Sequence, residues 1–255
     1  MELKPANDFT PNDLPRYRQF LKHAKLQVNP HQLQGVDWAV KRENPDNNQG
    51  LPFNVTGGII ADDMGLGKTI QILGLCMENK TKKTLIVLPL ALLAQWEHII
   101  LSMVPGCNPY IFRGKERKTL TQPILENAYF VLTTYHQIAH HSTLHEIEWN
   151  RIIFDEAHHL RNSNTQVFRG AQRLMVKNWW FVTGTPIQNY LKDFHALCQL
   201  LGIPEEFYKD EDNMQTIRNK FILRRTKFEA GITLPTLTIN KKEIDWKDEQ
   251  ELFLA

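Results

Sequence analysis

A chain of 255 residues, 42% hydrophobic and 23% charged, can bury a core as one large or two modest domains, which excludes a disordered or low-complexity protein. Lys and Arg (30) nearly balance Asp and Glu (28), so a net charge of +2 does not mark a nucleic-acid binder and leaves any such contact to local patches. Cys76, Cys107 and Cys198 lack CxxC spacing, the N-terminus MELKPANDFT has no apolar signal core, and no run of about 18 apolar residues occurs, so a soluble, intracellular protein with free thiols and no membrane partner is expected.

In chain order, an N-terminal helical region leads into NPDNNQGLPFNVTG (44–57), an aperiodic Asn, Gly and Pro stretch that reads as a loop. Short β-branched or aromatic runs then alternate with longer helical stretches. The expected strands are GGIIAD, TLIVLP, YIFRG, YFVLTTY, RIIFDEA and WWFVTGT. Between them lie the expected helices ALLAQWEHIILSM after Pro89, TQVFRGAQRLM with Asn164 as a candidate cap, and YLKDFHALCQLL after Asn189. The alternation predicts an α/β fold with a parallel sheet. Each strand ends at a polar motif, so the chemistry should collect on the carboxyl rim of that sheet.

ADDMGLGKT (61–69) follows the first strand and ends like a phosphate-binding loop, but Asp62 stands where the general pattern GxxxxGK[ST] has its first glycine. Gly65 and Gly67 let backbone N–H groups turn onto phosphate oxygens at a helix N-terminus, Lys68 would meet the β- and γ-phosphates, and Thr69 would ligate magnesium. The nearby N–H groups of Gly65, Gly67 and Lys68 make a glycine at position 62 dispensable. RIIFDEAHH supplies the second half: an apolar strand delivers Asp155 and Glu156 side by side, one to hold hydrated magnesium and the other to orient the attacking water. His158, just beyond, is suited to orienting or coupling. In FVTGTPIQN, the hydroxyls of Thr183 and Thr185 can sense a γ-phosphate, or the segment can be an ordinary Thr-Gly turn.

His136, His140, His141 and His145 have helical spacing but no flanking ligand to complete a metal tetrahedron, so a solvated helical face is expected. Arg224, Arg225 and Lys227 of FILRRTK can bind phosphates, pair with acidic neighbours or be solvated; charge alone does not choose. Core packing is the expectation for Trp96, Trp179 and Trp180.

Together, HQLQGVDWAV, GGIIADDMGLGKTIQ, LIVLPLALLAQWEHII, VLTTYHQI, RIIFDEAHHLRN, FVTGTPIQN and FILRRTK occur in an order and spacing that resemble the N-terminal ATPase lobe of SWI/SNF-family DNA-dependent ATPases, within helicase superfamily 2. The resemblance covers about residues 28 to 250. It implies a RecA-like P-loop lobe, a parallel sheet with helices on both faces, that uses ATP and Mg2+. An Asp at position 62 is a mark of that family. Gln32 would recognise adenine, and Asp62, Asp63, Met64, Gly65, Leu66, Gly67, Lys68 and Thr69 would line the nucleotide, with Lys68, Asp155 and Glu156 catalytic and Thr69 and Asp155 on magnesium. The stretches around Gln95, Trp96, Thr133, Thr134 and Tyr135 would line the DNA-facing side, and His158, Thr133, Thr134, Thr183, Gly184, Thr185, Gln188, Arg224 and Arg225 would face DNA or couple the two sites. The WAVKRE stretch and the spacer after it are similar to the branch of helicase-like transcription factors, ubiquitin-ligase repair translocases and lodestar-type termination factors.

The implied layout is an extension (1–28), an ATP-binding lobe (29–240) and the start of a connection (241–255) to a second ATPase lobe expected beyond Ala255. Duplex DNA, with nucleosomes or other DNA-bound proteins, is the implied partner. Nuclear localisation is implied with it.

Overall fold

A computed structural model of the chain describes residues 13–48, 50–184 and 191–232. Two helices, α1 (Pro15–His23) and α2 (Pro30–Arg42), precede the first strand, β1 (Gly57–Ile60). The α/β alternation then runs α3 (Lys68–Glu78), β2 (Thr84–Leu88), α4 (Leu93–Met103), β3 (Tyr110–Ile111), α5 (Gln122–Asn127), β4 (Phe130–Thr134), α6 (Tyr135–Ile138), β5 (Glu148–Asp155), α7 (Gln166–Gln172) and β6 (Met175–Val182). It closes with α8 (Leu191–Leu201), α9 (Glu205–Tyr208), α10 (Met214–Phe221) and β7 (Ile222–Leu223). Among the described residues the strands form one sheet in the order β3-β4-β2-β5-β6-β1-β7, with every pairing parallel.

Alternate residues of each central strand feed two separate cores, which is why these strands read as continuous apolar runs. Ile59, Val87, Ile152, Phe154 and Phe181 join Ile138, Phe168 and Phe194 on the face of α6, α7 and α8. Ile60, Ile86, Ile153, Trp180 and Val182 join Tyr17, Leu33, Ile72 and Trp96 on the face of α1 to α4. Trp96 and Trp180 are buried as expected, and Trp179 is half-buried in a stack with Phe154 and Phe181. Although α1 falls in the stretch read as an extension, its Tyr17, Phe20 and Leu21 are buried in the second core, and the Glu78 carboxylate accepts from the Tyr17 amide at 2.8 Å.

Three expectations need correction. Residues 175–178 belong to β6, pairing with Glu148 to Arg151 of β5, and α7 stops at Gln172. Its cap is Thr165, not Asn164, because the Thr165 hydroxyl accepts the Phe168 amide at 3.2 Å. The histidines do not share one helix face: α6 ends at Ile138, leaving His136, His140 and His141 exposed, while His145 is buried. The ring of His145 accepts the Ser142 amide at Nδ1 (3.2 Å) and donates from Nε2 to the Gly170 carbonyl (3.2 Å), which selects the neutral tautomer.

Toward the amino end of the sheet a buried polar cluster joins the end of α2 to β5 and β6. Arg151 grips Glu43 through Nε and Nη2, each at 2.5 Å, while Trp180 Nε1 donates to the same carboxylate at 2.9 Å. Arg151 is fully buried and Glu43 nearly so, so neither charge has water to fall back on. Arg151→Leu is therefore expected to cost about 3–5 kcal/mol by stranding Glu43, read as a lowered urea midpoint. Burial also holds the His145 pKa below that of a free histidine. The unfolded chain then takes up its proton first, so this contribution to stability is present above about pH 6.5 and is lost as pH falls below it. Urea midpoints measured from pH 7.5 down to 5 should fall less steeply for His145→Gln than for the parent.

Candidate nucleotide site

The rim is set by register. Val182 of β6 pairs with Ile60 on one side and Asp155 on the other, so the phosphate loop, the Thr183–Gly184 turn and the acid pair leave the sheet at one level. The loop from Ala61 to Gly67 turns into α3 at Gly67, whose φ of 75° is left-handed and whose lack of a side chain leaves the first amides of the helix uncapped. A Cβ at Gly67 would lie 2.3 Å from Gln32 Nε2, so a larger residue there would collide with the side chain expected to read the base. Met64 is exposed at the loop tip and Leu66 is fully buried.

Asp62 explains itself here. Its side chain is fully buried and turned away from the loop's open side. Oδ1 accepts from the Arg225 amide (3.0 Å) and Nε (3.1 Å), and Oδ2 accepts from Arg225 Nη2 (2.5 Å) and Gln71 Nε2 (3.0 Å). Arg225 also donates to Gln71 Oε1 at 2.9 Å and to the His31 carbonyl. The β1–β7 pairing continues into the loop, with the Ala61 amide on the Leu223 carbonyl (2.7 Å) and the Asp63 amide on the Arg225 carbonyl (3.0 Å). His31 Nε2 (3.1 Å), Gln32 Nε2 (3.3 Å) and Gln71 Nε2 (3.3 Å) all donate to the Leu66 carbonyl. Asp62 thus shapes the candidate nucleotide site without presenting its carboxylate to it. Arg225 takes the acidic-partner option that the sequence left open, whereas Arg224 is exposed.

Lys68 begins α3 and folds over the loop, donating to the Asp62 (2.8 Å) and Asp63 (3.3 Å) carbonyls. Burial lowers its pKa, opposed by the negative charges of Asp62, Glu156, Asp155 and Asp63. A Cβ at Gly184 would lie 3.8 Å from Lys68 Nζ, which places the turn after β6 against the same amine. Lys227 also reaches the loop, since a Cβ at Gly65 would sit 3.7 Å from its Cε. Thr69 follows on the first turn of α3, half-buried.

At the end of β5, Asp155 has one carboxylate oxygen on the Trp96 indole N–H (2.8 Å) and the other on the Glu156 amide (3.0 Å). Burial raises its pKa above the usual carboxylate range, the Trp96 hydrogen bond opposes this, and the Glu156 charge adds to it. Glu156 adopts a left-handed φ of 52°, an uncommon conformation for a glutamate that turns the chain sharply after the strand. His158 Nδ1 lies 3.2 Å from Glu156 Oε2. The Tyr135 hydroxyl donates to the Asp155 carbonyl at 2.7 Å, and its ring lies 4.8 Å from that of His159.

Within the stretches that the resemblance turns toward DNA, several side chains are engaged inside the chain. Trp96 serves Asp155, Tyr135 serves its carbonyl, and the buried Thr133 donates to the Phe112 carbonyl at 2.9 Å. Thr134 is also buried, while Gln95 is exposed. Thr183 is buried, with its amide on the Ile60 carbonyl at 3.1 Å. Thr185 and Gln188 lie outside the described residues. Gln71 and His31 escaped the sequence reading; the signal for Gln71 was a polar residue at an apolar position of an amphipathic helix.

The residues present suit a magnesium nucleotide. An uncapped helix start and a lysine amine answer phosphate oxygens, and a buried carboxylate that resists ionisation gains from a cation beside it. Asp62→Gly, which restores the general phosphate-loop pattern, should destabilise the chain by about 3–5 kcal/mol because it strands Arg225 in the interior. A urea midpoint equal to the parent's would show that the pair does not hold the loop.

A model of the SNF2-related domain matches residues 31–211, well over half of the chain. The chain is 32% identical to an ATP-dependent helicase of Schizosaccharomyces pombe over 88% of its own length and 26% of the relative's. It is 29% identical to the ISWI chromatin-remodeling complex ATPase ISW1 of Saccharomyces cerevisiae, over 90% of this chain and 22% of that one. The Sulfolobus solfataricus SWI2/SNF2 ATPase core, solved in complex with dsDNA, superposes with a TM-score of 0.67 at 28% identity, covering 82% of this chain and 46% of that one. The chain thus spans less than half the length of each of these relatives. With its phosphate loop, acid pair and parallel sheet in the places described, the chain belongs to the SNF2-related ATPase family.

Proposed function

We propose that the chain is the ATP-binding first lobe of a motor that couples ATP hydrolysis to movement along duplex DNA. The observation that carries the reading is the shared level of Ile60, Val182 and Asp155, which gathers Lys68, the Thr183–Gly184 turn and the acid pair on one rim. The dsDNA bound to the related archaeal core supports duplex DNA as the track.

In this reading the amides at the start of α3 and the Lys68 amine hold the phosphates, and Gln32 lies beside Gly67 to meet the base. Thr69 and Asp155 would hold magnesium, which when bound supplies charge neutralisation and polarises the phosphoryl group. Glu156 orients the attacking water and accepts its proton, with His158 beside its carboxylate. Lys68 leaves the Asp62 and Asp63 carbonyls to reach the nucleotide, an exchange made easier because burial already disfavours its charge there. Tyr135 and His159 connect the acid pair to α6, the first helix after β4, and so give a route by which contact on that flank reaches Asp155.

A second ATPase lobe would complete the site across the cleft, in keeping with the share of the related chains that this one spans. Groups supplied from across such a cleft are worth about 10³ to 10⁵ in rate, so the isolated chain should hydrolyse ATP slowly and gain little from DNA. In the two-lobed protein, Lys68→Ala and Glu156→Gln should each lower DNA-stimulated turnover by at least about 100-fold. An unchanged steady-state rate in either variant would falsify the site. Movement without strand separation predicts no product from a forked duplex; efficient unwinding would instead favour a strand-separating helicase.

A further inference from the structure

A separate concave surface lies where α1 meets the ends of α3 and α4, a cavity of about 340 Å³. Phe20, Met77, Val104 and Pro105 give it apolar walls, and Arg16 and Lys80 are its exposed cations; no lining residue is acidic. Because α3 begins at Lys68 and runs for 11 residues, the cavity stands about 16 Å from the phosphate loop, at the far end of that helix.

The backbone fixes the walls. A Cβ at Gly74 would lie 2.5 Å from the Tyr17 ring, so α1 rests on α3 at a distance that only glycine permits. Arg16 Nη1 donates to the Glu78 carbonyl at 3.2 Å, and Lys80 Nζ stands 4.9 Å from the centre of the Tyr129 ring. The Glu78 carboxylate is turned to the Tyr17 amide at 2.8 Å. Among the described residues, then, neither cation has a carboxylate partner. The positive charge also extends beyond the cavity. From Leu14 to Val36 and from Asn79 to Trp96 the chain has no acidic residue, and the same stretches carry Arg18, Lys22, Lys25, Lys82 and Lys83.

We propose that this cavity docks an acidic segment of a partner protein through one apolar anchor. The anchor fills the space between Phe20, Met77 and Val104, and carboxylates flanking it meet Arg16 and Lys80. The volume suits one large side chain, at the lower end of the range for ligand pockets. Apolar walls favour a peptide over a nucleic-acid backbone, whose phosphates would leave them unused. A positive field without acidic neighbours draws an acidic segment and turns basic ones away.

The test is fluorescence anisotropy of the 255-residue chain with a labelled peptide of glutamates around a single phenylalanine. Arg16→Gln combined with Lys80→Gln should weaken binding at least about tenfold, and Arg16→Lys with Lys80→Arg should restore most of it. Pro105→Glu, which sets a carboxylate on an exposed wall, should weaken it too, as should alanine in place of the peptide's phenylalanine. Arg169→Gln with Arg173→Gln, on the opposite face of the sheet, should leave it unchanged. Urea midpoints equal to the parent's separate lost docking from lost folding. A parent chain without affinity for the peptide, an unchanged affinity in the Arg16 and Lys80 double variant, or indifference to the peptide's phenylalanine overturns the proposal. So does an equal loss of duplex DNA binding in that double variant, which would make the surface a nucleic-acid contact. None of these outcomes touches the nucleotide site.

Discussion

The carboxylate of Asp62 meeting the guanidinium of Arg225 in the interior is the contact on which the rest of the rim depends. It joins residues 163 positions apart and closes β7 against β1 beyond the last strand pairing. Burying two charges is expensive unless geometry and further hydrogen bonds compensate, and here every carboxylate oxygen has two donors. The same guanidinium reaches Gln71 and His31, which together with Gln32 share the Leu66 carbonyl. The candidate phosphate loop is therefore held from beneath by α2, α3 and the segment that follows β7. An open-sided loop of glycines acquires a rigid underside, and electrostatic preorganisation of that kind is what phosphoryl transfer draws on.

Much of the fold was legible because the strands are short, apolar and punctuated by motifs. GGII, TLIVL, FVLTT and RIIFD announce themselves through β-branched density. Met175 to Asn178 did not, since a run containing Lys and Asn owes its strand conformation to β5 alone. β7 is two residues long beside two arginines, and only its partner β1 makes it a strand. In the site, Lys68, Asp155 and Glu156 could be read from their motifs, and Asp62 could be noticed as an oddity. Its partner could not be identified, because nothing local links position 62 to position 225. Trp96 shows the same limit: a core tryptophan and an Asp155 ligand look alike in sequence, and the two roles coincide in one indole.

The acid pair divides its labour through environment. Asp155 is buried and held by two donors, whereas Glu156, one residue on, is turned outward by a left-handed backbone and retains partial exposure. The β-strand alternation would send neighbouring side chains to opposite faces. The abrupt change of backbone at Glu156 breaks that alternation where the strand meets the rim. Around it, Tyr135 donates to the Asp155 carbonyl and packs against His159, which ties the turn to the start of α6.

The placement of β6 between β1 and β5 makes it a ruler. Two strand spacings, about 9.6 Å, separate the strand that leads to Lys68 from the one that ends in Asp155. No loop residue sets that gap. It is set by backbone pairing and by Trp180, Phe181 and Val182 facing alternate cores, and a slip of one position would exchange their faces. The separation between the strand that leads to Lys68 and the acid pair is thus inherited from apolar packing. A substitution in a loop or on a helix surface leaves that span unchanged as long as the β1–β6–β5 pairing holds.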